Sequence, residues 1–210
     1  MKVLQILPQL NIGGVERGTL DLSKALIHKG HQSFVISGGG VLVDELTQCG
    51  AKHYEIPVHI KSLRTLSLAK RLSETISSID PDIVHVRSRM PAWVNYRAFK
   101  MLKKKPLLIS TFHGLYSFPI YSKVMSFVDH SIAISKTVER YILENYRLDN
   151  DDITVIPRGC DPIEFNNDVI NPADKANIIE EFPQIVGKKV LTIPGRITKW
   201  KGVAEFIELL

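Results

Sequence analysis

Met1-Lys2-Val3-Leu4-Gln5-Ile6-Leu7-Pro8-Gln9-Leu10-Asn11-Ile12-Gly13-Gly14-Val15-Glu16-Arg17-Gly18 is the stretch whose reading decides the fold. Val3 to Leu7 is a short apolar run closed by a proline, the pattern of a buried strand. Gly13-Gly14 follows in the loop. Leu22, Ala25, Leu26 and Lys29 then keep helical spacing up to Gly30, a natural helix stop. The unit is strand, glycine loop, helix.

Outward from there the alternation repeats. Ser33–Ile36, Ile83–Val86, Leu107–Ser110, Ser131–Ile134 and Ile153–Ile156 read as buried strands, with a weaker one at Lys52–Ile56. Leu68, Leu72, Ile76 and Ile79 share one face of a helix. Such βαβ alternation predicts an α/β fold with a doubly wound parallel sheet, whose ligands bind in the loops outside the carboxyl ends of the strands. After Ile156 the texture becomes turn-rich at Pro157-Arg158-Gly159-Cys160-Asp161-Pro162. A helix is expected near Pro172–Glu181, a new strand at Lys189–Ile193 and a new helix from Gly202 to Leu210. This divides the chain into a first domain over residues 1–157, a crossover linker over 158–187 and the start of a second, truncated domain over 188–210.

Hydrophobic content of 44% and charged content of 23% are those of a globular protein. Cys49 and Cys160 fit neither a metal-ligand spacing nor a disulfide framework, and are expected as buried small hydrophobes in a reducing compartment. The short run before Pro8 is a strand rather than a signal peptide, and no apolar stretch approaches the roughly 20 residues of a membrane span. The expectation is a cytoplasmic protein. The net charge of +5 is uneven: residues 1–105 carry 16 Lys+Arg against 8 Asp+Glu, and residues 106–210 carry 11 against 14. A basic first half suits a phosphate-bearing partner, an anionic membrane, or simply a lysine-rich solvated surface. Nucleic acid is not expected, because the cations are not interleaved with aromatics in any reader motif.

Three loops stand out. Gly13-Gly14 lets a backbone approach a phosphate or sugar, and is equally compatible with a plain tight turn. It is not a dinucleotide fingerprint, since the spacing is G-G-x-x-x-G and Ser37-Gly38-Gly39-Gly40 stands where a ribose-binding acid would be needed. His113, in Thr111-Phe112-His113-Gly114, closes a strand where it can meet a ligand or be merely structural. Gly195-Arg196-Ile197-Thr198-Lys199-Trp200-Lys201-Gly202 brackets two cations with glycines at a strand-to-helix turn. Arg196 and Lys201 there suit a diphosphate. Arg87 and Arg89, just past a strand, are placed to face an acidic acceptor group. Asp80-Pro81-Asp82 and Asp149-Asn150-Asp151 precede their strands and read as turns and caps rather than metal ligands. Lys103-Lys104-Lys105 is expected to end a helix carrying Trp93, Tyr96, Arg97, Phe99, Lys100 and Met101. That helix end is favourable for positive charge and also suited to an anionic bilayer.

Taken in order, these segments resemble glycosyltransferase family 4, the retaining enzymes of the GT-B fold. Gly13-Gly14-Val15-Glu16 is similar to its Gly-Gly-x-Glu loop, and Thr111-Phe112-His113-Gly114 to its histidine loop. Ser131-Ile132-Ala133-Ile134-Ser135 before a helix is typical of it. Val155-Ile156-Pro157-Arg158-Gly159-Cys160-Asp161 is similar to its Val-Ile-Pro-Asn-Gly-Val-Asp crossover, and Gly195 to Gly202 matches Gly-Arg-x-x-x-x-Lys-Gly in full. Arg158 stands where the family has asparagine and Cys160 where it has valine. The family's E-x7-E lies beyond Leu210.

The resemblance implies a Rossmann-like GT-B amino-terminal domain. It implies transfer of a sugar from a nucleotide-diphosphate sugar, with retention and no metal or other cofactor, to a glycan or lipid-linked acceptor, as in surface polysaccharide or lipopolysaccharide synthesis. By position it assigns Gly13 and Gly14 to the donor phosphate and Glu16 to the acceptor or loop. It places His113 beside the donor sugar and gives Arg196 and Lys201 to the leaving diphosphate. Arg97, Lys100, Lys103 and Lys104 join Arg87 and Arg89 as an acceptor or membrane face. Two alternatives stand beside it: a GT-B-type sugar-nucleotide epimerase, and a non-catalytic half that needs a separate chain carrying the donor domain.

Overall fold

A computed structural model describes residues 1–60, 67–116, 119–160, 162, 163, 166, 170–195, 197, 198 and 201–209. The chain divides into two compact units, Met1–Arg158 and Gly159–Leu210.

The first unit is a wholly parallel sheet of seven strands among the described residues: β1 (Lys2–Ile6), β2 (Gln32–Ser37), β3 (Lys52–Glu55), β4 (Ile83–Val86), β5 (Leu107–Phe112), β6 (His130–Ala133) and β7 (Ile153–Val155). Their order is β3-β2-β1-β4-β5-β6-β7. The central strand β1 pairs Gln5 with Val35 of β2 on one side and with His85 of β4 on the other. Because parallel neighbours need a crossover, helices link the strands: α1 (Gly14–His28), α2 (Val43–Gln48), α3 (Ala69–Ile79), α4 (Arg89–Phe99), α5 (Pro119–Ser122) and α6 (Lys136–Asn145). The doubly wound α/β expectation holds.

Period-two alternation along β1 sends Leu4 and Ile6 into a large core with Phe34, Ile36, Val84, Val86 and the buried stripe Ala69, Leu72, Ile76 and Ile79 of α3. Leu7, Leu10, Val35 and Ala51 pack on the other side with Leu20 of α1 and Leu46 of α2. Helix α1 stops as its sequence demands: Gly30 adopts φ 75° and donates its N–H to the Ile27 carbonyl at 2.9 Å. Helix α6 is opened by the Ser135 hydroxyl, which accepts from the Val138 N–H at 3.2 Å.

Three expectations change, and one helix, α2, was not expected at all. Helix α2 has too few residues for its period to show in the sequence. Helix α4 ends at Phe99 rather than running to Lys105, because Leu102 turns inward at 8% exposure and the chain then heads into β5. Cys160 is exposed and Cys49 half-buried, so neither is a fully buried hydrophobe. In the second unit, α7 (Pro172–Glu181) and α8 (Val203–Glu208) form as expected, with Asn171 capping α7. Lys189–Ile193 forms no strand, and Val190 and Leu191 are exposed. A strand exists only through a ladder partner, and none is present among the described residues of that unit.

The Asp-x-Asp segments serve as caps and pairings. Asp80 ends α3 in the left-handed region at φ 48° and accepts from Lys104 at 2.8 Å, Asp82 accepts from the Lys2 N–H at 2.7 Å, and Asp149 and Asp152 form a reciprocal capping box before β7.

The loop after β2 is packed against the loop after β1 so closely that a side chain at Gly40 (φ 141°) would overlap the Leu10 carbonyl and approach the Asn11 nitrogen at 2.8 Å. Backbone cannot yield as a side chain can. Gly40→Ala is therefore expected to lower unfolding free energy by about 1–3 kcal/mol, measured by urea denaturation.

Candidate functional site

Strand order reverses between β1 and β4, where an open parallel sheet offers its ligand crevice at the carboxyl edge. That position is polar here. Gln5 is fully buried, and its amide donates to the Thr19 carbonyl (3.1 Å) and the Ser23 hydroxyl (3.0 Å) of α1. Its carbonyl oxygen accepts from Arg87 Nη1 at 2.9 Å. Arg87 follows β4, is 7% exposed, and forms no ion pair among the described residues, while its Nε lacks a partner. Burial and the Arg158 charge lower its pKa to about 10, against the pull of Glu16 and Asp21, so it remains a cation at neutral pH. A buried cation without a bonded anion is costly, and it makes this edge of the sheet attractive to negative charge.

Two histidines lie beside it. His85 Nε2 meets the Thr111 hydroxyl at 2.7 Å inside the sheet. His113 closes β5 as expected, and its Nδ1 accepts from Arg158 Nη2 at 3.1 Å, while its Nε2 is buried and has no partner. Burial, then Arg87, then Arg158 push the His113 pKa down to about 3, and burial with Arg87 and His113 holds His85 well below its usual value. Both imidazoles are therefore neutral near pH 7. Arg158 also donates from Nη1 to the Gly14 carbonyl at 2.7 Å, so a single guanidinium ties the end of β7 to the loops after β1 and β5.

Gly13 and Gly14 start α1 with no side-chain cap. A Cβ on Gly13 would overlap the Glu16 carboxylate, and one on Gly14 would overlap Arg158 Nη1. Glu16 thus folds back over Gly13 at the first turn, where a carboxylate is favourable. The 15-residue α1 aims its free N–H groups at this same edge.

Gly13, Gly14, Glu16, Arg87 and His113 accordingly share one edge of the first unit. Arg89 begins α4 at that edge too, but its guanidinium stacks on Tyr116 (4.9 Å) and Tyr121 (5.4 Å) rather than standing free for an anion. Arg97, Lys100, Lys103 and Lys104 do not join them. Helix α4 runs back along the sheet, so these cations lie at the amino edge of the strands, where Lys104 pairs with Asp80. The single basic face expected from sequence is two separate surfaces. A groove of about 660 Å³ lined by Tyr96, Phe99, Lys100, Leu107, Phe127 and Asp129 also belongs to that amino edge, away from His113. Arg196 lies outside the described residues. Lys201 belongs to the second unit, where its N–H donates to the Thr198 carbonyl at 3.0 Å in the turn before α8.

Sequence reading passed over Gln5 and His85, which look like ordinary strand residues, and took Thr111 only as part of the histidine loop. Only the polar interruption of otherwise apolar runs marks them. Arg158 was visible solely as a departure from a motif.

The model of the family described as "Glycosyltransferase Family 4" matches residues 12–164, which span the glycine loop, Arg87, His113 and the crossover. The chain belongs to glycosyltransferase family 4. A glycosyltransferase structure from Rickettsia africae superposes with a TM-score of 0.78 at 36% identity, covering 96% of this chain and 54% of that one. A subunit of the human phosphatidylinositol N-acetylglucosaminyltransferase is 25% identical over 190 residues, covering 80% of this chain and 38% of the relative. Anabaena HepE, solved in complex with UDP and glucose, shares the fold at a TM-score of 0.77 and 17% identity, covering 99% of this chain and 57% of that one. The chain thus spans 38–57% of the length of these relatives.

The depressed histidines make a pH prediction. The unfolded chain takes up protons near the ordinary histidine pKa of about 6.5, whereas folded His113 resists them down to about 3. The stability His113 contributes is complete above about pH 6.5 and is lost as pH falls toward 3. Urea denaturation from pH 7.5 to 4 is expected to show that decline, with a shallower slope in His113→Gln.

Proposed function

We propose that this chain is the acceptor-side half of a retaining glycosyltransferase that moves a sugar from a nucleoside-diphosphate sugar to a glycan or lipid-linked acceptor. The observation that carries this reading is the charge of the carboxyl edge. Arg87 supplies positive potential with no bonded carboxylate, the amino end of α1 adds its N–H groups beside the Glu16 carboxylate, and His113 adds a neutral, unpartnered nitrogen. A diphosphate is drawn to the first two, and a sugar hydroxyl bonds to the third. In this reading charge on the leaving diphosphate is neutralised by protein cations, Arg196 and Lys201 among them, without a divalent metal. Glu16, which overhangs Gly13, orders the loop on the acceptor side. The UDP and glucose held by HepE support a sugar nucleotide as the donor class.

A partner chain or further segment is part of the proposal, because the relatives are about twice as long and the human relative is itself one component of a larger enzyme by name. Half a cleft cannot exclude water around a nucleotide sugar. The 210-residue polypeptide alone is expected to show no turnover with a panel of nucleoside-diphosphate sugars, and a donor half bearing E-x7-E is expected to restore it. In that restored enzyme His113→Ala is expected to lower kcat roughly 10²-fold with the melting temperature retained, as when one transition-state hydrogen bond is removed. Turnover by the polypeptide alone, or an unaffected His113→Ala enzyme, would refute the assignment.

For the amino edge we propose peripheral contact with anionic lipid, surface polysaccharide or lipopolysaccharide synthesis being the setting. Its support is that Arg97, Lys100, Lys103 and Lys105 surround exposed Met101, Leu107 and Phe127. Co-sedimentation with vesicles containing anionic phospholipid, but not with neutral vesicles, is the expected result. A Lys100→Glu/Lys103→Glu variant should remain in the supernatant.

A further inference from the structure

Arg158 occupies the crossover position at which the family resemblance leads to asparagine, and its side chain makes two contacts at once. Nη1 donates to the Gly14 carbonyl at 2.7 Å and Nη2 lies 3.1 Å from His113 Nδ1. An asparagine side chain is about three bonds shorter and has one carboxamide, so it cannot span both loops. A guanidinium carries donors only. The ring nitrogen facing it must therefore accept, and the imidazole proton must reside on Nε2, the nitrogen that is buried and unpartnered. The absence of a Cβ on Gly14 clears the path for the Nη1 contact, since any side chain there would overlap it.

The titratable groups facing His113 are His85 from β4, Arg87 just past it, Arg158 from the crossover, and Tyr116, whose hydroxyl bonds the His113 backbone rather than its ring. Neither arginine can accept a hydrogen bond, and His85 is engaged with Thr111. Arg158 is thus the group whose bond selects the tautomer.

We propose that Arg158 is a positioning residue that holds His113 as its Nε2–H tautomer, so that the ring offers a neutral donor, not an acceptor, to a hydroxyl oxygen of the sugar. The catalytic part of this inference rests on the reading that His113 meets the donor sugar, whereas the tautomer assignment does not. A sugar hydroxyl can donate or accept, and the tautomer decides which role it takes. The consequence is selection of one hydroxyl geometry over another.

The test uses the 210-residue chain labelled with ¹⁵N. Long-range ¹H–¹⁵N spectra of the His113 ring at pH 7 report the tautomer directly, with thermal melts confirming the fold. The wild type is expected to show a single Nε2–H form. In Arg158→Ala and Arg158→Asn a second, Nδ1–H form is expected at a comparable population, and the His113 titration should move up toward its ordinary value as one neighbouring cation is removed. Arg158→Lys, which keeps the charge and loses the fork, should retain more of the Nε2–H form than Arg158→Ala. A His113 that stays entirely Nε2–H in folded Arg158→Ala overturns the inference. In the enzyme assembled with its donor half, Arg158→Ala should lower kcat about tenfold with little change in donor KM, the pattern of a defect felt beyond ground-state binding. If the tautomer mixes in Arg158→Ala while His113→Ala leaves turnover unchanged, the positioning role stands and the donor-sugar reading of His113 fails.

Discussion

A buried guanidinium bonded to a buried amide, Arg87 to Gln5, sits where the strand order reverses, and the chemistry of the whole carboxyl edge depends on it. Gln5 can hold Arg87 because its amide is already committed to Thr19 and Ser23, which leaves its carbonyl free to accept. The cation is then desolvated without being neutralised. Burial first, and then its charge, keep His85 and His113 deprotonated, and it repels Arg158, whose own partners are a carbonyl and a neutral ring nitrogen. The edge therefore carries a buried positive charge that no bonded carboxylate offsets among the described residues.

The parallel topology separates this edge from a second basic surface. Every crossover helix returns the chain to the amino edge, so residues close in sequence such as Arg87 and Lys103 end at opposite poles. One pole holds the buried Arg87, bonded to a buried amide, and the exposed Arg158, bonded to a backbone carbonyl and a ring nitrogen. The other holds exposed lysines over aromatic rings, as with Lys100 4.3 Å from the Tyr96 ring centroid. A lipid-linked acceptor bound at the first pole would not be delivered by contact at the second within this unit. The two surfaces therefore call for separate tests.

Family membership and the site geometry bear on each other through the positions at which this chain departs from the family pattern. A Gly-Gly-x-Glu loop and a histidine loop are common to the resemblance, and both arrive at the same edge here. Arg158 joins them physically, which makes the departure at the crossover more informative about this chain than the motifs it shares.

Strand and helix content were legible because buried parallel strands read as apolar runs, while helices such as α3 carry their period in Leu72, Ile76 and Ile79. Gly13, Gly14 and His113 were legible because glycine and histidine at a strand end have few other uses. The sequence was silent on Gln5 and His85, since a polar residue within a strand has no signature until a neighbouring strand supplies its partner. It misjudged Lys189–Ile193, where β-forming composition met no ladder, and merged two basic surfaces that topology keeps apart. By itself, then, the sequence determined the alternating α/β architecture and its family, because local period and short motifs are properties of contiguous residues. Only the tertiary structure decided that Arg87 is buried, that His113 is neutral and that Arg158 bonds Gly14 across 144 positions, because burial and hydrogen-bond partnership belong to groups distant along the chain.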